Sequence, residues 1–180
     1  SPAWLVGAIY NGRIAPVAPY GICGAIWYQA ESNCGKGEDP RDYRHKQRAL
    51  VQGWRQAWNN ENLPFFYVQL PQWKSYAWTY VREEQLKAMN VEDTGMAVTI
   101  DLDNGNDIHP SNKIDVGERL ALWPLSNLYG RKMTFCGPLF RKSVIRGGEA
   151  VIRFDYAKEG LMVGCIEGVG KIVEAKDVPL

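Results

Sequence analysis

Long apolar runs are missing from this 180-residue chain: no stretch approaches the ~18 apolar residues that a membrane-spanning helix needs. Charge of one sign is missing too. Twenty-one Lys and Arg stand against 20 Asp and Glu, a net charge of +1 with His neutral. That balance excludes a protein that holds nucleic acid by bulk positive charge. Histidine is scarce, with only His45 and His109, and the four cysteines at 23, 34, 136 and 165 form no C-x-x-C pair. The ligand spacing of a zinc site is therefore absent, and neither a metal nor a cofactor is expected. The opening SPAWLVGAIYNGRIAP has no basic start and no apolar stretch closed by a small-residue cleavage site, so it does not read as a signal peptide.

What is present is the composition of a globular domain, 46% apolar and 23% charged, which excludes a disordered chain and a collagen-like repeat. Aromatics are abundant, with seven Trp and nine Tyr. Sugar-handling surfaces have this richness, but a well-packed core has it more often.

Three short apolar runs read as strands covered on both faces: Cys23 to Tyr28, Phe65 to Leu70 and Met96 to Ile100. Between and after them lie helical patterns. From Pro40 to about Asn60, Tyr43, Leu50, Val51, Trp54 and Trp58 share one face, and Arg44, Lys46, Arg48 and Gln52 turn to water. Trp78 to Asn90 is the second helix. The third runs from Asn112 to Tyr129, with Asn112 as N-cap, Val116, Leu120 and Trp123 as its buried stripe, and Gly130 as its stop. Pro124 within it predicts a bend or a split. Strand, helix, strand, helix, strand, helix implies a mostly parallel α/β sheet with right-handed connections. After Gly130 the pattern becomes short strands, Met133 to Leu139, Ser143 to Ile145, Ala150 to Tyr156 and Leu161 to Ile166, broken by Gly147-Gly148 and Glu159-Gly160. The expected division is 1–130 for the α/β part and 131–180 for a β-rich segment. Ile9 to Gly12 reads as a turn, and Cys23 as a small hydrophobe in its apolar run.

Ligands of open α/β sheets bind at the carboxyl ends of the strands. Here those ends carry Gln29-Ala30-Glu31-Ser32-Asn33, Gln69, and the loop from Asp101 to His109. Within that loop Asp107-Ile108-His109-Pro110 stands directly before a helix. A histidine beside a carboxylate is the base-and-orienter pair of a hydrolase, in which imidazole takes the nucleophile's proton and the carboxylate fixes its tautomer. The plainer reading is a histidine that caps a loop. His45, among Arg44, Lys46 and Arg48, reads as a surface residue, and Glu83-Glu84 as part of a solvated helix face.

Two blocks carry a resemblance. Gly24-Ala25-Ile26-Trp27-Tyr28-Gln29-Ala30-Glu31-Ser32-Asn33 resembles the G-x-I-W-Y-Q-G-E-S-N block of sialate O-acetylesterases, a branch of the SGNH (GDSL-type) hydrolases. Asp107-Ile108-His109-Pro110-Ser111-Asn112-Lys113, with Val116-Gly117-Glu118-Arg119-Leu120-Ala121, resembles the family's D-I-H-P-x-N-K…V-G-x-R-L-A block. Supporting matches at Tyr10-Asn11-Gly12 with Ile14-Ala15-Pro16, Leu63 to Leu70, Arg82-Glu83 with Gln85, and Gly95 to Asp101 keep the family's order.

The resemblance implies a flavodoxin-like α/β fold and removal of O-acetyl groups from sugars, sialate or a plant polysaccharide, through an acyl-enzyme. It implies His109 as general base and Asp107 as its orienter. Gln29 and the Ala30 N–H become oxyanion donors, and Glu31, Ser32 and Asn33 the residues that shape the loop. It also implies a secreted or periplasmic setting, with an acetylated sugar as partner; the composition adds the expectation of no nucleic acid and no membrane span.

Three departures stand out. Ala30 replaces a family glycine. The pair is spaced D-x-H where other SGNH enzymes have D-x-x-H, which leaves Asp101, Asp103 or a backbone carbonyl as alternative orienters. None of the six serines (1, 32, 75, 111, 126 and 143) lies in the family's G-Q-S-N nucleophile block. The expectation is an interior piece of a longer enzyme, whose serine lies on a preceding segment or on another chain. The rival expectation is a non-catalytic sugar-binding or scaffold module derived from the same fold.

Overall fold

Three parallel strands, β1 (Ala25–Trp27), β2 (Phe65–Val68) and β3 (Thr94–Ala97), pair in the order β1-β2-β3 at the centre of the computed structural model, which describes residues 7–18, 20–102, 107–166 and 172–174. Ala25 pairs with Phe65 and Tyr67 with Met96, so one register runs through the sheet. Helices α1 (Tyr43–Ala57) and α2 (Tyr76–Ala88) connect the strands, and α3 (Lys113–Asn127) follows the third.

Successive side chains on a strand point to opposite faces, and β2 is buried along its whole length. Phe65 and Tyr67 pack with Val51, Ala88 and Met96 on the face covered by α1 and α2. Phe66 and Val68 pack with Val116, Leu120 and Trp123 of α3 on the other. This is the three-layer α/β arrangement that the alternating pattern predicts. Much of the aromatic richness lies in these layers: Trp54 stacks on Trp58 with centroids 4.9 Å apart, and Phe66 on Trp123 at 6.4 Å.

Several boundaries differ from the sequence reading. The third strand begins at Thr94 and ends at Ala97, because Val98 and Ile100 turn outward as the chain leaves the sheet. Pro124 does not split α3, which is continuous to Asn127. A proline at this point removes one hydrogen bond near the helix end, while Trp123 Nε1 donates to the Met96 carbonyl at 3.0 Å and anchors that turn to the sheet. Gly130 follows with φ +66°, the left-handed conformation that ends helices. Residues 9–12 do not form a simple turn. Tyr10–Ile14 is one turn of π-helix, closed by Ala15 N–H to the Tyr10 carbonyl. Cys23 is exposed rather than packed, as it precedes the three-residue strand. Glu84, expected in water, is 6% exposed and pairs with Arg44 of α1 and with Lys87, so it bridges two helices.

Beyond α3 the strands are antiparallel. β4 (Leu139–Arg146) and β5 (Glu149–Asp155) form a hairpin, and β6 (Gly164–Ile166) pairs with β7 (Ile172–Glu174). Gly147 and Gly148 have φ of +58° and +85°, the two left-handed residues that a tight hairpin turn of this twist demands. The segment 133–138 is not a strand. Phe135 instead packs its ring on Trp123, centroids 4.8 Å apart, and ties the start of the hairpin to α3. No helix among the described residues is long and apolar enough to cross a membrane.

Candidate active site

The chain leaves β1 at Trp27 and enters a 3-10 turn at Glu31–Cys34, and this short passage carries the first group of candidates. Tyr43, buried at the start of α1, donates its hydroxyl to the Gln29 carbonyl at 3.0 Å and pins the passage to the helix. Gln29 Nε2 donates to Asn33 Oδ1 at 2.9 Å across the turn. Ala30 is fully buried, and its N–H donates to Glu31 Oε2 at 2.9 Å. Its φ of 161° borders extended backbone, so the loop does not demand the left-handed conformation that a glycine would favour. Ser32 is exposed on the 3-10 turn. Cys34 packs behind it, and burial pushes its thiol up to about 11.

The second strand exit is braced from α2. Gln85, 1% exposed, accepts the Leu70 N–H at Oε1, 2.9 Å, and donates from Nε2 to the Val68 carbonyl, 3.2 Å. One buried amide thus satisfies both polar groups that the strand leaves open where it ends. Nearby, Trp78 Nε1 and Arg82 both donate to the Pro71 carbonyl. At the third exit, Thr99 is fully buried and donates its hydroxyl to the Gln69 carbonyl at 2.7 Å, tying two exits together.

Asp107 and His109 follow. Asp107 Oδ1 accepts the His109 backbone N–H at 2.8 Å and lies 3.3 Å from His109 Nδ1. One carboxylate oxygen therefore holds both the backbone and the ring. Across the D-x-H spacing the aspartate caps its own tight turn. The His109 N–H beside it holds the Asp107 carboxyl below the usual carboxylate range. Both side chains are open to solvent, His109 at 73% and Asp107 at 68% exposure. Of the alternative orienters, Asp101 is taken by Arg119, whose guanidinium grips both its oxygens at 2.6 and 2.8 Å and holds its carboxyl low. Asp103 lies outside the described residues.

The two groups meet at one end of the sheet. Ile108 packs against the cluster of Ala30, Tyr43, Leu70, Trp78 and Val81. The Lys113 ammonium, at the first residue of α3, sits 5.1 Å from the centroid of the Tyr28 ring. Gln29, Ala30 and the Asp107–His109 turn therefore share the carboxyl end of the parallel strands, where the sequence places them. His45 stays apart, exposed on α1 with Nε2 accepting from Arg44. Sequence reasoning missed Gln85, Thr99 and Arg119, whose partners lie 15 to 30 positions away. The hint lay in the resemblance, whose matching blocks contain Gln85, Thr99 and Arg119 without saying what each one holds. Among the described residues no group of three or more His, Cys, Asp or Glu gathers to hold a metal ion.

Comparison with known proteins identifies the family. Residues 9–124 match the family model described as carbohydrate esterase, sialic acid-specific acetylesterase. The chain is 29% identical over 174 residues to the sialate O-acetylesterase of Rattus norvegicus, a match that covers 84% of this chain and 32% of that protein. To the sialate O-acetylesterase of Homo sapiens it is 28% identical, over 84% of this chain and 33% of the relative. The crystal structure of a carbohydrate acetylesterase from Xanthomonas citri superposes with a TM-score of 0.77 at 36% identity, covering 87% of this chain and 39% of that one. The chain spans about a third of the length of the curated relatives it matches.

Proposed function

Because the chain belongs to the sialic acid-specific acetylesterase family of carbohydrate esterases, we propose that it carries the base and oxyanion portion of a carbohydrate O-acetylesterase site. The observation that carries this reading is the Asp107–His109 pair, held on one tight turn beside Ala30 at the carboxyl end of three parallel strands.

The chemistry follows from the atoms. Asp107 engages Nδ1, which leaves the Nε2 lone pair of His109 as the proton acceptor. A serine hydroxyl presented there loses its proton to Nε2 as its oxygen attacks the acetyl carbonyl. The sugar oxygen then leaves, taking that proton from imidazolium. Water, deprotonated by the same imidazole, attacks the acetyl-serine and releases acetate. None of the six serines has the family's nucleophile context, so we assign the attacking hydroxyl to the longer enzyme of which this site is part.

For the developing oxyanion, the donors are the Ala30 N–H and the Gln29 Nε2–H that Asn33 leaves over. The Glu31 carboxylate now holds the Ala30 N–H, an anion at the position where the oxyanion would form. Glu31 therefore has to move aside during turnover. This contact is also what favours the second reading, a sugar-binding module that retains the fold without turnover.

The test is acetate release from O-acetyl sialic acid and from acetylated xylan fragments by the full-length protein and its His109→Ala variant. Turnover that is lost in the variant supports the esterase. Binding of the deacetylated sugar with no turnover by the unmodified protein favours the module instead.

A further inference from the structure

Arg119 stands on the second turn of α3 and reaches across to the chain that leaves β3. Nη1 donates to the Val98 carbonyl at 2.9 Å and to Asp101 Oδ1 at 2.6 Å, and Nη2 donates to Asp101 Oδ2 at 2.8 Å. The bidentate fork fixes the orientation of Asp101 as well as its distance. The first turn of the same helix holds the far side of the loop. Asn112 caps it by accepting the Asp115 N–H at 3.1 Å, and Pro110 is fully buried. One rigid helix thus grips the chain on both sides of the Asp107–His109 turn.

We infer that Arg119 is a positioning residue for His109: from α3 it clamps Asp101 and the Val98 carbonyl, and so sets where the turn carrying the imidazole sits. The inference rests on the reading of His109 as general base. The physical reason is exposure. Neither His109 nor Asp107 is packed by neighbours, so the position of the imidazole follows the backbone that carries it. A general base acts only within hydrogen-bond reach of its proton, and a misplacement of about 1 Å can cost ~10²-fold in rate. Lysine at 119 keeps the charge but offers a point contact in place of the fork.

The experiment has two arms. On this chain, Arg119→Met, Arg119→Lys and Asp101→Asn are compared by 1H–13C spectra of the imidazoles, with thermal melts to establish folding. Only two histidines contribute, so each cross-peak can be assigned. The expected result is a displaced or broadened His109 cross-peak in Arg119→Met and Asp101→Asn, an intermediate one in Arg119→Lys, and an unmoved His45 cross-peak. In the full-length enzyme the same changes lower kcat by about ten- to a hundredfold, with KM within about twofold, and the double variant is no worse than the worse single one.

An unmoved His109 cross-peak in folded Arg119→Met, or a raised KM with kcat unchanged, overturns the clamp. If Arg119→Met does not fold, Arg119→Lys and Asp101→Asn decide by the same criteria. Failure of the functional reading looks different: full-length His109→Ala with unaltered turnover removes the base, while the spectra still decide the clamp.

Discussion

Gly95 of β3 lies so close beneath the Trp123 indole of α3 that a Cβ on residue 95 would stand 2.2 Å from Trp123 Cε3. The helix that carries Arg119 thus rests on a bare backbone at the third strand. A methyl group there has no room, because Trp123 is itself fixed by Nε1–H to the Met96 carbonyl and by Phe66 and Phe135 on its faces.

Gly95→Ala should therefore destabilise the protein by about 1–3 kcal/mol through overpacking. Urea denaturation measures it. Gly53→Ala, on α1 where a Cβ would meet nothing within 4 Å, should be neutral or slightly stabilising, since alanine favours the helix. Equal effects of the two would refute the packing argument.

Gln85→Leu should cost about 2–6 kcal/mol, because it leaves the buried Leu70 N–H and Val68 carbonyl without partners, each at ~1–3 kcal/mol. Hydrogen exchange should then show the Leu70 amide opening faster than amides in the middle of β2. An unchanged Leu70 exchange rate would mean that water replaces the amide.

Acid should weaken the clamp between Arg119 and Asp101. Its guanidinium holds the Asp101 carboxyl below the ordinary value in the folded protein. Such a group adds stability that is present above its unfolded pKa of about 3.9 and fades as pH falls through the lower folded value. The stability difference between unmodified protein and Asp101→Asn should thus be full at pH 6 and shrink below about pH 4. Chemical denaturation at pH 6 and at pH 3 checks the sign, and a difference that grows in acid would reverse it.

On the proposed reading, His109→Ala in the full-length protein should cost at least about 10³-fold in kcat/KM, and Asp107→Ala less. On the proposed reading the base moves a proton in both acylation and deacylation, while the aspartate holds the ring and its turn. Both side chains are exposed, so the thermal melts of the two variants should stay close to that of the unmodified protein. A greater loss for Asp107→Ala would shift the main role to the turn that it caps.

Of Cys23, Cys34 and Cys136, exposed Cys23 should react first with a thiol reagent at pH 8. Burial pushes the Cys34 and Cys136 thiols up to about 11, which leaves roughly one in a thousand as thiolate at that pH. Peptide mapping of the labelled sites gives the order. Faster labelling of Cys34 would mean that the 31–34 turn opens readily.

The three β-α units were legible because each rests on local patterns: apolar runs of four to six residues, and helical spacing from Tyr43 to Trp58 and from Val116 to Trp123. The Asn112 cap and the Gly147-Gly148 turn were legible for the same reason, as residue type there dictates backbone conformation within a few positions. Glu84 was misread because adjacent helix positions say nothing of a second helix that brings Arg44 to one of them. The strand expected at 133–139 failed because an alternating apolar pattern equally suits a segment laid over Trp123.

By itself the sequence determined the order and type of the main elements, the two motif blocks and Asp107 as one candidate partner of His109, all of which depend on residues within one element or one turn. Tertiary structure alone decided that Asp101 belongs to Arg119 rather than to His109, that Gln85 holds the Leu70 N–H, and that Gly95 must lack a side chain. The physical reason is competition. Each of these groups has more than one chemically suitable partner in the chain, and only the packed arrangement of strands and helices brings one of them within hydrogen-bond or van der Waals distance.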